Sequence, residues 1–300
     1  MNKWIKRSAI GIGALVAAAG LAVAGGLYLA ERKMTRAVHV AVTPVQLDSS
    51  TATLEHGRYL FKARGCAHCH GDNGGGHEVF NGDGMRVVAP NITTGQNGVV
   101  ADYTSEDWVR VLRHGLKPGG QPVLIMPSED WARMSNQDAG ALISYAQQLP
   151  PVSGDSAVIE LPLPVRLLYA AGMIEDAAAK IDHSLPPPAP VAATVSLEHG
   201  KYLANMCMGC HGAGLSGGKI PGAPPAWPAA PNLTPGPGSV LPRYETVEAF
   251  RTMMRSGRRP DGSPVDSAMP FDVLRSMNDT DLDAMFYYFK SMAPVKDGQR

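Results

Sequence analysis

The sequence has no net charge, no cysteine outside two short motifs, and no long run of alternating β-branched residues. Basic and acidic residues both total 27 of 300, so there is no overall basic field to hold a nucleic acid. The missing strand pattern, with 33 glycines and 25 prolines, predicts an all-α chain of short helices and turn-rich loops. We therefore expect no nucleic-acid partner, and the length allows about two domains.

The N-terminus carries an apolar segment. Three basic residues lie within the first seven positions, and an uncharged stretch of 23 residues follows from Ser8 to Ala30. A cleavable export signal usually has an apolar core of about 7 to 15 residues, and Ala22-Val23-Ala24 offers such a cleavage site. The longer run is enough to span the ~30 Å hydrocarbon layer. We expect residues 1–30 to form an uncleaved transmembrane helix in a bacterial inner membrane, with everything after Glu31 in the periplasm.

Most of the remaining chain is a tandem repeat. "LEHGRYL" from Leu54 returns as "LEHGKYL" from Leu197, and "CAHCHG" returns as "CMGCHG". "PNIT" returns as "PNLT" and "WVRVLRHG" as "FRTMMRSG", all 141 to 143 positions apart. A duplication explains this order. We predict two domains, residues 52–152 and 196–296, with a tether at 31–51 and a linker at 153–195.

Each copy is predicted to contain three or four helices. One helix starts near Ser105 or Thr246 and ends at Gly115 or Gly257. The last helix of each copy has apolar residues three or four apart, which gives it one buried face. The linker contains a helical pattern at 165–181 and then "LPPPAP", which favours extended chain.

The four cysteines form two Cys-x-x-Cys-His motifs, Cys66-Cys69-His70 and Cys207-Cys210-His211. On a helix, positions i, i+3 and i+4 share a face, so two sulfurs and an imidazole can address one flat group. This spacing is typical of c-type haem attachment, in which the thiols form thioethers with the porphyrin and the histidine ligates iron. Local disulfides do not explain the histidines, and a zinc site needs further ligands. The sequence therefore predicts two covalently bound haem c groups.

A methionine in each copy is the candidate for the sixth iron ligand. Met126 lies 56 residues after His70, and Met269 lies 58 after His211. Both occupy equivalent repeat positions, precede proline and lie in a loop between helices. A thioether favours the ferrous state and raises the reduction potential. Met134 and Met277 also correspond but are interpreted as packing residues.

Other repeated polar residues have less specific interpretations. We expect His56 and His199 to be surface or packing residues, and Tyr59 and Tyr202 to pack between helices. The asparagines and threonines of "PNIT" and "PNLT" are suited either to hydrogen bonds with haem propionates or to stabilising turns.

With these motifs in hand, the chain resembles membrane-anchored, periplasmic dihaem cytochromes c. It is similar to the cytochrome subunits of bacterial alcohol, gluconate and other periplasmic dehydrogenases over residues 54–152 and 197–295, through "GRYL", "CAHCHG", "PNIT", "IMP" and their partners. The resemblance implies two class I cytochrome c folds, in which the first and last helices cross and histidine and methionine bind opposite haem faces. Many such subunits carry three haem motifs, and this chain has two.

The resemblance also implies a function in respiration. We expect an electron carrier that accepts electrons from a periplasmic or membrane dehydrogenase and passes them to quinone or a terminal oxidase. The alternative is a catalytic dihaem enzyme, such as a peroxidase or a sulfur-compound dehydrogenase, with one open iron site. No spare cysteine is present to ligate iron and both copies have their methionine, which favours the carrier and assigns no catalytic residue.

Overall fold

The computed structural model describes residues 3–223 and 226–299. The chain begins with a 32-residue helix, α1 (Lys3–Met34), of which Ala30 is the buried residue. Within the described ranges, α1 is the one helix long and apolar enough to cross a membrane, judged by length and composition. The predicted N-terminal helix is therefore present as a candidate membrane span.

The first repeat copy is mainly helical, as predicted. Its N-terminal helix α2 and C-terminal helix α5 pack so closely that a Cβ on Gly57 would lie 2.1 Å from the Ala141 carbonyl oxygen. Only glycine fits at this approach. The helices of this copy are α2 (Thr51–Ala63), α3 (Cys66–His70), α4 (Ser105–His114), a 3₁₀ turn (Ser128–Asp130) and α5 (Asn136–Gln147).

Helix α4 begins at Ser105, where the sequence predicts its start. Thr104, not Ser105, is the N-cap, because its side chain accepts from the Asp107 N–H while the Asp107 carboxylate accepts from the Thr104 backbone. This reciprocal pair is a capping box. The helix ends at Gly115 in the left-handed conformation, as predicted.

Three short strands are a feature that the sequence interpretation missed. β1 (His77–Gly82) and β2 (Met85–Ala89) form an antiparallel hairpin, and β3 (Val158–Glu160) pairs with β2 from the linker. The hairpin turn is Asp83-Gly84, with φ of 51° and 75°. Asp-Gly is a strong signal for such turns. The described part of the chain is thus mostly helical with one small sheet.

The linker packs against α1. It contains α6 (Leu163–Ala170) and α7 (Ala177–Lys180). Lys33 at the end of α1 donates to the carbonyl oxygens of Tyr169 and Ala170, at 3.2 and 2.8 Å. Arg36 makes two hydrogen bonds with Asp176, at 2.6 and 2.8 Å. The linker is therefore a structured strap that holds the base of the N-terminal helix.

The second copy repeats the first. A Cβ on Gly200 would lie 2.1 Å from the Ala284 carbonyl oxygen, which matches the approach at Gly57. Its helices are α8 (Leu197–Ala204), a 3₁₀ turn (Asn205–Cys207), α9 (Met208–His211), a 3₁₀ turn (Leu241–Arg243), α10 (Val247–Ser256), α11 (Phe271–Leu274) and α12 (Asp279–Ser291). In both copies the first and last helices cross closely, as the resemblance implies.

Each copy has its own hydrophobic core. The first is centred on Phe61, Val109 and Ile143, which are at most 2 % exposed. The second is larger and more aromatic, and it includes Ala63 from the first copy. The two copies are therefore in direct contact at the end of α2.

Candidate functional site

The two Cys-x-x-Cys-His motifs occupy equivalent short helices. Helix α3 carries Cys66, Cys69 and His70, and the 3₁₀ turn together with α9 carries Cys207, Cys210 and His211. The chain then turns back in the same way, with the Gly76 and Gly217 N–H groups donating to the carbonyl oxygens of His70 and His211, both at 2.8 Å. The structure therefore brings together the residues of each motif on one helical turn, as predicted.

Each motif histidine is oriented by a proline carbonyl. His70 Nδ1 lies 2.9 Å from the Pro90 oxygen, and His211 Nδ1 lies 2.8 Å from the Pro231 oxygen. A carbonyl only accepts hydrogen bonds, so Nδ1 carries the proton and Nε2 keeps its lone pair. Burial lowers the pKa of His70, although the Pro90 carbonyl opposes the shift. A neutral imidazole held in this tautomer is a prepared metal ligand.

The loops after each motif are fastened to the end of their own domain. The Asn91 amide donates to the carbonyl oxygens of Gln96 and Val152, at 3.0 and 2.8 Å, and its oxygen accepts from the Thr93 N–H. Asn232 repeats the bond to Val295 at 2.8 Å. Both asparagines are fully buried. Of the two interpretations of these residues, the structure supports turn stabilisation, which fixes the proline carbonyls that hold the histidines.

Each candidate methionine packs against the same hydrophobic core as a motif cysteine of its own copy. Met126 packs against the first core together with Cys66, and Met269 packs against the second core together with Cys207. Each is partly exposed and stands immediately before a proline and a short helix. By contrast, the methionines interpreted as packing residues, Met134 and Met277, are 4 % and 2 % exposed within those cores.

The surroundings of the cysteines suit thioethers better than a thiolate–metal site. Burial raises the pKa of Cys66 and of Cys207 to about 12, so both thiols stay neutral. Cys66, Cys69 and Cys207, all described, form no disulfide. In the described part of the chain no three histidine, cysteine or acidic side chains converge as a metal cluster. The neutral sulfurs fit a covalently attached porphyrin.

A reciprocal set of hydrogen bonds joins the two copies. His199 Nε2 lies 2.7 Å from Asp281, and the same carboxylate accepts from the Tyr59 hydroxyl of the first copy at 2.5 Å. In the mirrored half, His56 lies 2.7 Å from Asp138, which accepts from the Tyr202 hydroxyl of the second copy at 2.6 Å. We call these six residues the tyrosine clasp: His56, Tyr59, Asp138, His199, Tyr202 and Asp281.

The clasp explains the repeated heptad. Each tyrosine hydroxyl also accepts a backbone N–H of the other copy, from Asn278 at 3.2 Å or Ser135 at 3.0 Å. These are the N-caps of the last helices. The interpretation of the histidines and tyrosines as packing residues therefore missed their part in the interface. The signal was present in the sequence as a histidine and a tyrosine three positions apart, conserved between the copies together with an aspartate near each last helix.

The clasp carboxylates are ionised. Burial alone would raise the pKa of Asp138 and Asp281, but hydrogen bonds from the histidine and the tyrosine bring both below the ordinary value. Burial and the neighbouring carboxylate raise the pKa of Tyr202 to about 12. The tyrosines are therefore neutral donors to charged acceptors, which are the stronger kind of hydrogen bond.

Comparisons with known proteins agree with this geometry. The family model described as cytochrome c matches residues 54–150 and 197–293. The chain is 26 % identical over 287 residues to the fructose dehydrogenase cytochrome subunit of Gluconobacter japonicus, covering 85 % of this chain and 56 % of that protein. It is 27 % identical over 283 residues to the cytochrome c subunit of the quinone-type alcohol dehydrogenase of Gluconobacter oxydans, covering 84 % and 57 %.

A third relative matches this chain over a shorter segment. The gluconate 2-dehydrogenase cytochrome c subunit of Pantoea cypripedii is 27 % identical over 178 residues, covering 54 % of this chain and 38 % of that protein. The chain therefore spans just over half the length of the first two relatives.

Proposed function

The chain belongs to the cytochrome c family, and from this premise we propose that it is a membrane-anchored dihaem electron carrier. The observation that carries the proposal is the pair of motif histidines, each held by a proline carbonyl so that Nε2 remains available. Two such sites joined through one interface suit the passage of electrons between them. The domains proposed for this task are residues 52–152 and 196–296.

Two covalently bound haem c groups are attached through the cysteine pairs Cys66/Cys69 and Cys207/Cys210. The chemistry that haem supplies when bound is reversible one-electron exchange. We assign His70 and His211 as the axial ligands on one side. The hydrogen bond at Nδ1 leaves Nε2 as the nitrogen that would face the iron and limits rotation of each ring.

Met126 and Met269 are the proposed ligands on the opposite side. Their position against the same cores as the motif cysteines supports this assignment. As a neutral, soft thioether, each methionine would stabilise the ferrous state and would leave no coordination position open for a substrate. Both sites are then suited to electron transfer and not to binding a small substrate, which disfavours the peroxidase-like alternative.

The proposed location is the periplasmic face of a bacterial inner membrane. Helix α1 supplies the single span, and the ion pair of Arg36 with Asp176 fixes the chain where it leaves that helix. The relatives are named as subunits of fructose, alcohol and gluconate dehydrogenases. We propose a dehydrogenase as electron donor and quinone or a terminal oxidase as acceptor.

The methionine ligands provide the test of this proposal. In the purified full chain, intact mass should show two haems, and the oxidised spectrum should show a methionine–iron charge-transfer band. Met126→Ala and Met269→Ala should each remove about half of that band and lower the potential of one haem. Met134→Leu and Met277→Leu, which change buried core methionines, are the matched controls and should keep the band.

Two results would contradict the proposal. One is a mature chain with fewer than two haems. The other is a charge-transfer band that survives the loss of both proposed ligands.

A further inference from the structure

The two haem-attachment motifs have different charges beside them, although the copies are otherwise similar. Arg64 stands two residues before Cys66, and the equivalent position before Cys207 is the neutral Asn205. Four residues after each methionine, the first copy has Asp130 and the second has Val273. Both differences lie at the contact between the two copies. Each charged side chain therefore lies close to a proposed haem site.

Arg64 is a buried cation that belongs to the first copy by sequence, but its guanidinium contacts residues of the second copy. It is 8 % exposed, and its charge helps to lower the pKa of the clasp carboxylates Asp138 and Asp281. The guanidinium lies 5.8 Å from the centre of the Tyr202 ring and 3.3 Å from the Met206 sulfur. The Trp131 indole donates to its backbone oxygen at 3.1 Å. These contacts hold a positive charge in a poorly solvated place.

Asp130 belongs to the first copy but reaches the second motif. A Cβ on Gly209, between Cys207 and Cys210, would lie 3.2 Å from the Asp130 Oδ1 atom. The corresponding residue of the second copy, Val273, lies against Gly65 at the start of the first motif, where a Cβ would lie 3.3 Å from its Cγ2 atom. The first motif is therefore met by an apolar side chain, and the second by a carboxyl group.

Before haem is attached, the pKa values of the motif cysteines respond to the same two charges. Burial raises the pKa of Cys207, and Asp130 raises it further by more than Arg64 lowers it. At Cys66 the charge of Arg64 also lowers the pKa, and no carboxylate opposes it there. The field at the second motif is thus more negative than the field at the first.

We propose that the carboxylate of Asp130, which meets the second motif where the first motif meets Val273, places the reduction potential of the second haem site below that of the first. The inference rests on the proposed carrier function and adds a direction of electron transfer between its two haem sites. A negative charge stabilises the ferric state and a positive charge the ferrous state, and net charge is one of the terms that set such potentials. Downhill transfer moves one electron from the second copy to the first, with no bond made or broken.

The size of the difference in reduction potential between the two sites depends on the ionisation of Asp130. Burial raises the pKa of Asp130 to about 7; Glu129 on the same turn adds to the rise, and Lys180 of α7 opposes it. Arg64 and Arg133 face the same small cavity. The carboxylate is fully formed only above neutral pH, so the difference between the sites should widen as the pH rises through 7.

The test is a redox titration of the purified full chain at about pH 8.5, well above the Asp130 pKa. Met269→His, which exchanges a proposed ligand of the second site, identifies the couple of that site by its large fall. Asp130→Asn should favour reduction of the second site by about tenfold, which is 59 mV for one electron. Arg64→Asn, which introduces the residue of the second copy, should lower both couples, because the guanidinium acts on the cysteines of both motifs.

Asp72→Asn is the matched control for charge. Asp72 follows the first motif closely, but its side chain is 77 % exposed and pairs with Lys62. Water screens such a charge, so neither couple should move by more than about twofold. The Asp130 effect should also disappear well below pH 7, where the wild-type carboxyl is already neutral.

The outcomes separate this inference from the proposed function. A chain without two haems contradicts the carrier itself. Three results from a chain with both haems would overturn the inference alone. They are equal reduction potentials at the two sites, a lower potential at the first site, and an Asp130→Asn shift no larger than that of the control. Asp130→Asn is nearly isosteric, and it decides the matter by itself if Arg64→Asn does not fold.

Discussion

The tyrosine clasp should carry a large part of the stability of the interface between the copies. Tyr59→Phe removes one hydrogen bond to the ionised Asp281, and Tyr202→Phe removes one to Asp138. Hydrogen bonds to charged groups contribute about 1.5–3 kcal/mol, so each change should cost about 2 kcal/mol. The two halves share no hydrogen-bonding atom, so the double variant should cost about 4 kcal/mol.

Urea unfolding followed by circular dichroism measures this loss. With a slope of about 2 kcal/mol/M, each single change should lower the midpoint by about 1 M. In the double variant the transition should also separate into two, because the copies have lost their coupling. Tyr287→Phe, at a tyrosine 47 % exposed on α12, is the control. If the double variant unfolds in one transition with the midpoint of the control, the clasp does not hold the copies together.

Three further predictions concern packing, the linker strap and pH. Gly200→Ala places a methyl group 2.1 Å from the Ala284 carbonyl oxygen and should cost at least about 3 kcal/mol in the same urea assay, whereas Gly214→Ala, whose nearest neighbour is at 3.8 Å, should be nearly neutral. Asp176→Asn leaves the Arg36 cation without its partner and should make the linker measurably faster to cleave in limited proteolysis, and an unchanged cleavage rate would contradict the role of the strap. The folded pKa of both clasp carboxylates is lowered, so their contribution is complete above the unfolded value of about 3.9 and should be lost as pH falls through the folded value. Urea midpoints measured between pH 6 and pH 3 check this, and a midpoint that does not fall with acid would refute it.

The haem motifs were predictable because their chemistry is local. Two cysteines and a histidine within five positions meet on one helical turn whatever the rest of the chain does. The prediction of the methionine ligands rests on a different signal: Met126 and Met269 occupy equivalent positions of the repeat, and the following proline sets them apart from the core methionines. The ends of α4 and α10 followed from caps, which are also local signals.

The clasp and the sheet depend on residues far apart in sequence. Tyr59 and Asp281 are 222 positions apart, so no periodicity joins them. The repeat does not reveal which hydrogen bonds cross between the copies, because His56 bonds within its own copy while Tyr59 bonds to the other copy. In the same way β3 comes from the linker to pair with β2, and a three-residue strand has too short a pattern to be recognised. The Asp83-Gly84 dipeptide was the one local sequence signal that indicated the hairpin.

The interface of a duplicated electron carrier has to meet two opposing requirements, a fixed arrangement of the two copies and unequal reduction potentials at their sites. The copies must be held in a fixed relation, and a reciprocal clasp does this with the same three residue types from each side. Yet two identical sites would have equal potentials, and an electron would have no preferred direction between them. Symmetry is broken where one copy touches the motif of the other: Asp130 meets the second motif, while Val273 meets the first. One substitution at an otherwise equivalent position is enough to make the sites unequal without disturbing the contacts that join them.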